Sequence, residues 1–189
     1  MHEIFNKEIN YIKDENIKDS LITILDLLPK YFYEIPASST GKYHPEFTLG
    51  KGGLVRHTKA AVRIAVELLN DSSLNNFTDY EKDLIIFAIT IHDGLKCGLV
   101  KSEYTCFDHP LLISKFVQDN KDKLTISKDD IKFICDAVET HMGPWTTDYQ
   151  GNEVLSPPES KHQRFVHMCD YLASRKFLNI KFINDEIVD

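Results

Sequence analysis

The sequence predicts an all-α protein, one compact helical bundle over residues 1–189, and three observations carry that prediction. Apolar residues recur at helical spacing along most of the chain, and no stretch alternates apolar and polar residues between turn signals as a half-buried strand would. Two segments, Thr78-Asp79-Tyr80-Glu81 and Ser156-Pro157-Pro158-Glu159, match the capping box that opens a helix. The 189 residues suit one domain, and 42% apolar with 11% aromatic residues are enough to bury a sizeable core. A disordered tail, a collagen-like chain and a disulfide-stapled peptide are excluded.

The elements follow in order. A short helix is expected within residues 3–13, and Ile17, Leu21, Ile24, Leu25 and Leu28 make a helical stripe that Pro29 closes, because the residue before a proline is pushed out of the helical region. Pro29 to Gly53 holds two more prolines, the run Ala37-Ser38-Ser39-Thr40-Gly41, and glycines 50, 52 and 53. A connection this long in a small domain is more often functional than idle. Leu54–Asn70 is an amphipathic helix. The Thr78 capping box opens a helix that is apolar all round through Leu84–Ile91, and so should be central. Asp108 is placed to cap a helix with His109 and Pro110 in its first turn, where the missing amide hydrogen costs nothing. Ser127–His141 is a further amphipathic helix, ended by Gly143-Pro144. The last helix is expected to start at the Ser156 box and run to about Leu178.

Composition also bounds the setting. The apolar run Leu84–Ile91 is far short of the roughly 20 residues that span a bilayer, so no membrane partner is expected. The first residues, MHEIFNKEINYIKDE, lack the basic and continuous apolar regions of a signal peptide, which reads as cytoplasmic. Cysteines 97, 106, 135 and 169 form no CxxC pair and read as free thiols. A net charge of −7 repels a long nucleic acid, but not a small phosphorylated substrate held by a few local cations.

Candidate chemistry lies on the buried helices. His57 shares a face with Leu54 and Ala61, where a lone histidine is more often a hydrogen-bonded core residue than a ligand. His92-Asp93 ends the most apolar helix, and a carboxylate there must be paired, protonated or bound to a metal. Asp170 is a second carboxylate amid Val166, Cys169, Leu172 and Ala173. A salt bridge explains each carboxylate singly. Together with His57 and His92 they supply two imidazoles and two carboxylates, a donor set suited to Mn, Fe or Zn.

The order of His57 in GGLVRHT, His92-Asp93 about 35 residues later, Lys96 three beyond, and Asp170 on a late helix resembles the HD-domain superfamily of metal-dependent phosphohydrolases. The resemblance covers about residues 50–178. It implies an HD-type all-helical fold, with residues 1–49 forming N-terminal helices and a loop on the substrate side. His109 in FDHP and His141 in ETHMGPW lie where a subset of the superfamily places ligands for a second ion. For this chain the resemblance implies His57, His92, Asp93 and Asp170 on one metal, and Asp93, His109 and His141 on the other. Where the family commonly reads HDIGK this chain has HDGLK, a departure that bears on local packing.

What the resemblance implies chemically is a phosphohydrolase acting on a nucleotide or other small phosphate ester. Two divalent transition-metal ions, Fe or Mn first with Zn, Ni, Co or Mg as alternatives, would share a hydroxide that attacks phosphorus. Asp93 would bridge them and Lys96 would contact a phosphate oxygen. Lys51 and Arg56 are further local cations for substrate phosphates, though both residue types are usually solvated surface charges. His44, Trp145 and Tyr149 are candidates to stack on a base or sugar, or to act simply as lids. His167 is three residues from Asp170 and in reach of it. Two further readings share the ligand order: a mixed-valence diiron oxygenase, and a non-catalytic ligand-binding module.

Overall fold

The computed structural model describes residues 1–38, 40–41, 44–178 and 180–188. Its elements are α1 (Asn6–Ile9), α2 (Glu15–Leu27), α3 (Gly53–Asn70), α4 (Asp79–Ile91), α5 (His109–Asp119), α6 (Lys128–Glu139) and α7 (Lys161–Ala173), then a two-stranded antiparallel hairpin, β1 (Phe182–Ile183) and β2 (Glu186–Ile187). Short 3-10 turns cover His2–Phe5, Lys30–Tyr33, Glu46–Thr48 and Lys121–Lys123. Among the described residues the architecture is mostly helical, and no helix is long and apolar enough to cross a membrane.

Helix α4 is the axis of the fold because its sequence leaves it no solvent face. Every residue from Asp83 to Ile91 is buried, and α2, α3, α6 and α7 pack around it. The Thr78 capping box forms as its sequence predicts, with the Glu81 amide on Thr78 Oγ1 at 3.2 Å and the Thr78 amide on Glu81 Oε2 at 2.7 Å. The buried Asp83 carboxylate is satisfied by two amides, of Lys13 and Asp14, at 2.9 and 2.8 Å, which pins the start of α2 to α4. Helix α3 packs against both α4 and α7. That placement sets the start of α3 beside the end of α4 and the last turn of α7.

Several expectations are corrected. The last helix begins at Lys161, capped by a Ser160–Gln163 box, and not at the Ser156 box. Consecutive prolines at 157 and 158 hold the chain extended, since a proline disfavours helix in the residue before it. It ends at Ala173, five residues before Leu178. Asp108 sits at the N-cap of α5 but its side chain accepts no capping hydrogen bond. Pro110 does occupy the first turn. The C-terminal hairpin is a β element in a chain read as all-α. Its turn residues Asn184 and Asp185 take φ of 49° and 63°, the doubly left-handed turn that suits hairpins and that Asn and Asp tolerate best.

Candidate metal centre

The site is assembled from five places in the chain. His57 comes from the second turn of α3, His92 and Asp93 from just past the end of α4, His109 from the first position of α5, His141 from just past α6, and Asp170 from the last turn of α7. All six predicted ligands converge. His57, His92, Asp93, His109 and His141 are 1–2% exposed. Two groups have ligand atoms within 4.8 Å of one another, His57 with His92 and Asp170, and His92 with Asp93 and His141.

Helix ends explain how three of the imidazoles are aimed. The last carbonyls of a helix have no partner within it. His92 Nδ1 donates to the Ile89 carbonyl at 2.6 Å and His141 Nδ1 to the Val138 carbonyl at 2.7 Å, both in last turns. His109 Nδ1 does the same to the Cys106 carbonyl at 2.7 Å, just ahead of α5. Each bond places the ring proton on Nδ1 and turns the Nε2 lone pair to the centre, the second-sphere arrangement common to metal-binding histidines.

The centre therefore gathers electron pairs without protons between them. Asp93 Oδ1 lies 3.0 Å from His109 Nε2 and 3.6 Å from His141 Nε2, and those two nitrogens are 3.1 Å apart. Asp93 Oδ1 and His92 Nε2 are buried without a hydrogen-bond partner. A buried carboxylate oxygen and ring nitrogens turned toward one another at these distances are left unsatisfied unless a cation sits among them. At the other end His57 Nε2 is 2.9 Å from Asp170 Oδ1, and His92 Nε2 is 3.5 Å from both Asp170 Oδ1 and Asp93 Oδ2. The donor set of four imidazoles and two carboxylates fits first-row divalent ions. The C-terminal ends of α4 and α6 bring the negative ends of two helix dipoles to the same place.

The ionisation pattern has the same origin. Burial works against charge on both aspartates, yet Lys96 and His92 hold Asp93 well below the usual carboxylate range, and His57 and His92 do so for Asp170. Burial likewise opposes charge on His92, but Asp93 and Asp170 outweigh it and raise that imidazole. Burial keeps His57 and His109 lowered.

The predicted substrate residues divide. Lys96 meets the site, its ammonium 2.5 Å from Asp93 Oδ2. It does so from a run of turns over 92–101, since α4 stops at Ile91. His44 also meets it, edge-on to His57 with ring centroids 5.7 Å apart and Nδ1 buried without a partner. Burial, reinforced by His57 and Lys96, lowers His44 to about 4.

Arg56 is a correction. Its Nε bonds the Phe47 carbonyl, Nη1 the Asp185 carboxylate, and Nη2 the carbonyls of Leu49 and Lys51. With four of its five N–H donors held by the 47–51 loop and the hairpin, Arg56 is a clamp rather than the free phosphate cation expected of it. Lys51 is exposed, and its carbonyl serves that clamp. Trp145 is half exposed and stacks on Tyr171 at 6.0 Å, while the fully exposed Tyr149 lies edge-on to Phe107. Among the described residues neither makes a ring contact with a predicted ligand.

His167 reaches a different ligand from the one its spacing suggests: its Nδ1 donates to the His141 carbonyl at 2.7 Å, not to Asp170. Its ring fills the space over Gly143, where an added Cβ would lie 2.1 Å from it, so only glycine, at φ 66°, fits the turn after His141. Tyr31, which the sequence did not single out, holds the 92–101 turns: its hydroxyl donates to the Gly98 carbonyl at 2.6 Å and accepts from the Cys97 amide at 3.2 Å. A Cβ on Gly94 would lie 2.9 Å from Leu28 Cδ2 and 3.0 Å from both Ile113 Cδ1 and the Ile91 carbonyl oxygen, so these neighbours would have to shift to admit one. No protein-family model matches this chain, and no curated protein or solved structure matches it.

Proposed function

We propose that this chain is an HD-type metal-dependent phosphohydrolase that holds two divalent transition-metal ions and hydrolyses a nucleotide or another small phosphate ester. The observation that carries the reading is the convergence of Asp93 Oδ1 with the Nε2 atoms of His109 and His141, beside the His57, His92 and Asp170 group. One end would be held by His57, His92, Asp93 and Asp170, the other by Asp93, His109 and His141. When bound, such ions supply acidity to water and neutralise charge on phosphoryl oxygens.

The chain's own residues divide the remaining work. Asp93 uses both oxygens, one toward each end, and so fixes the spacing of the two halves. Lys96 and Asp170 are the members most open to solvent, their side chains 12% and 19% exposed against 1–2% for the other ligands. A phosphate approaches from that side, and Lys96 swings its ammonium from Asp93 Oδ2 to a phosphoryl oxygen as charge builds there. His44 flanks the same approach beside His57, a neutral wall against the substrate's remaining atoms.

The test is a screen of protein reconstituted with Mn or Fe(II) against nucleotides, cyclic dinucleotides and generic phosphate esters, with elemental analysis and an anaerobic control. The expected result is close to two ions per chain and phosphate release without oxygen. Absence of bound metal after reconstitution would refute the reading, and turnover that requires O₂ would replace it with the diiron oxygenase.

A further inference from the structure

A pair of thiols lies between Lys96 and His109, and the phosphohydrolase reading leaves it unused. Cys97 is buried, Cys106 half-buried, and both are free. Between them runs a surface loop on which Leu99, Val100 and Tyr104 are 64%, 87% and 64% exposed. The loop is closed at its neck: the Cys106 amide donates to the Lys96 carbonyl and the Ser102 amide to the Cys97 carbonyl, both at 2.8 Å. A Cβ on Gly98, the residue after Cys97, would lie 3.4 Å from Cys106 Sγ. The two cysteines thus stand on either side of a hydrogen-bonded neck, Cys106 bonded to the residue before Cys97 and its sulfur beside the residue after it. Cys135 and Cys169 are buried in α6 and α7, away from this neck.

We propose that Cys97 and Cys106 are an oxidative modification site whose disulfide resets the metal centre. Cys106, the more exposed thiol, takes one oxygen from a peroxide to become a sulfenic acid, and the peroxide leaves as water or an alcohol. The Cys97 sulfur then displaces that oxygen as water, so the thiols lose two electrons and the O–O bond gains them. A small dithiol reverses the change by exchange.

The neck is attached to two of the groups around Asp93. Lys96, joined to Cys97, bonds Asp93 Oδ2, and the Cys106 carbonyl orients His109, whose Nε2 is 3.0 Å from Asp93 Oδ1. Drawing the sulfurs to bonding distance displaces the Cys106 carbonyl relative to Lys96, and moves His109 and Lys96 against the carboxylate between them. Only this effect on the centre rests on the proposed function; formation of the disulfide does not.

The experiment oxidises the metal-free full chain with hydrogen peroxide, removes the oxidant, maps cysteine peptides by mass spectrometry and measures Mn binding. The expected map shows a Cys97–Cys106 linked peptide that dithiothreitol releases and that Cys106→Ser and Cys97→Ala both lose. The oxidised wild type is expected to bind Mn at least tenfold more weakly than the reduced form, with peroxide leaving both variants' affinities unchanged. Oxidation of Cys106 to sulfinic acid with no linked peptide would overturn the site, and a linked peptide with unaltered Mn affinity would overturn its coupling to the centre. Reduced wild type that binds no Mn marks failure of the metal reading instead, and the peptide map, which needs no metal, still judges the thiol pair.

Discussion

Replacing Asp93 by Asn keeps the side chain's shape and removes its charge, at the one residue whose two oxygens face opposite ends of the site. Oδ1 meets His109 and His141 at 3.0 and 3.6 Å, and Oδ2 meets Lys96, His92 and His57 at 2.5, 3.5 and 3.9 Å. Without metal, the change strands the Lys96 ammonium, 12% exposed, beside a neutral amide. Breaking a buried pair from one side costs about 3–5 kcal/mol, and the solvent still open to Lys96 puts this case at the low end. With metal the contrast is sharper. Each ion held at a hundred times its dissociation constant stabilises the native state by about 2.7 kcal/mol. In a chain of this size that is a rise of roughly 5–11 °C in Tm.

Thermal melts with and without Mn or Fe(II), paired with elemental analysis, read both effects. The wild type should show the full rise, and Asp93→Asn a small one with at most one ion per chain. A variant that kept two ions and the wild-type rise would refute the assignment of Asp93 as the shared ligand.

The other expectations are more local. Lys96→Ala should leave metal content unchanged and lower hydrolysis at least tenfold, about 1.4 kcal/mol of transition-state stabilisation; steady-state kinetics on the best substrate decide it, and unchanged rates would remove Lys96 from the site. Arg56→Ala should cost about 1.5–3 kcal/mol in urea unfolding, the range for hydrogen bonds to a charged group, while substrate KM stays as it was. His167→Phe keeps the ring over Gly143 but loses the bond to the His141 carbonyl, so metal affinity measured by competition should fall about 10–100-fold. Burial raises Glu8 above its ordinary 4.5 despite the nearby Lys59. The folded chain therefore keeps that proton to higher pH than the unfolded chain does. The stability it contributes is full below about 4.5 and lost as pH rises through the folded value. Glu8→Gln should accordingly gain on the wild type as pH rises above about 4.5 in denaturant titrations.

Legibility tracked how local each cause is. The capping box at Thr78 and the stripe from Ile17 to Leu28 are settled within a few residues, and the helices formed there. The Ser156 box satisfied the same pattern and failed, because Pro157 and Pro158 decide the backbone before any side chain can cap it, and Ser160 with Gln163 does the capping four residues on. The hairpin had a signal, Asn184-Asp185 between apolar residues, but strands of two residues give no periodicity to read. Arg56 is illegible for another reason. Its charge partner Asp185 is 129 residues away, and nothing near Arg56 in the sequence distinguishes a clamp from a phosphate ligand.

The two ends of the candidate site also differ in how the chain builds them. His92, His109 and His141 each spend Nδ1 on the carbonyl three residues earlier, so the windows 89–92, 106–109 and 138–141 fix their tautomers with no help from the tertiary fold. His57 has no such bond: its Nδ1 is buried without a partner, and Nε2 meets Asp170 across 113 residues of sequence. That end exists only once α3 and α7 have packed together. The Asp93, His109 and His141 end is aimed by local backbone geometry, whereas the His57 and Asp170 end depends on the whole bundle. Destabilising α3 or α7 should therefore loosen the His57 end first, which places the clamp of Arg56 on the 47–51 loop and hairpin, one residue before His57, among the supports of metal binding even though it touches no ligand.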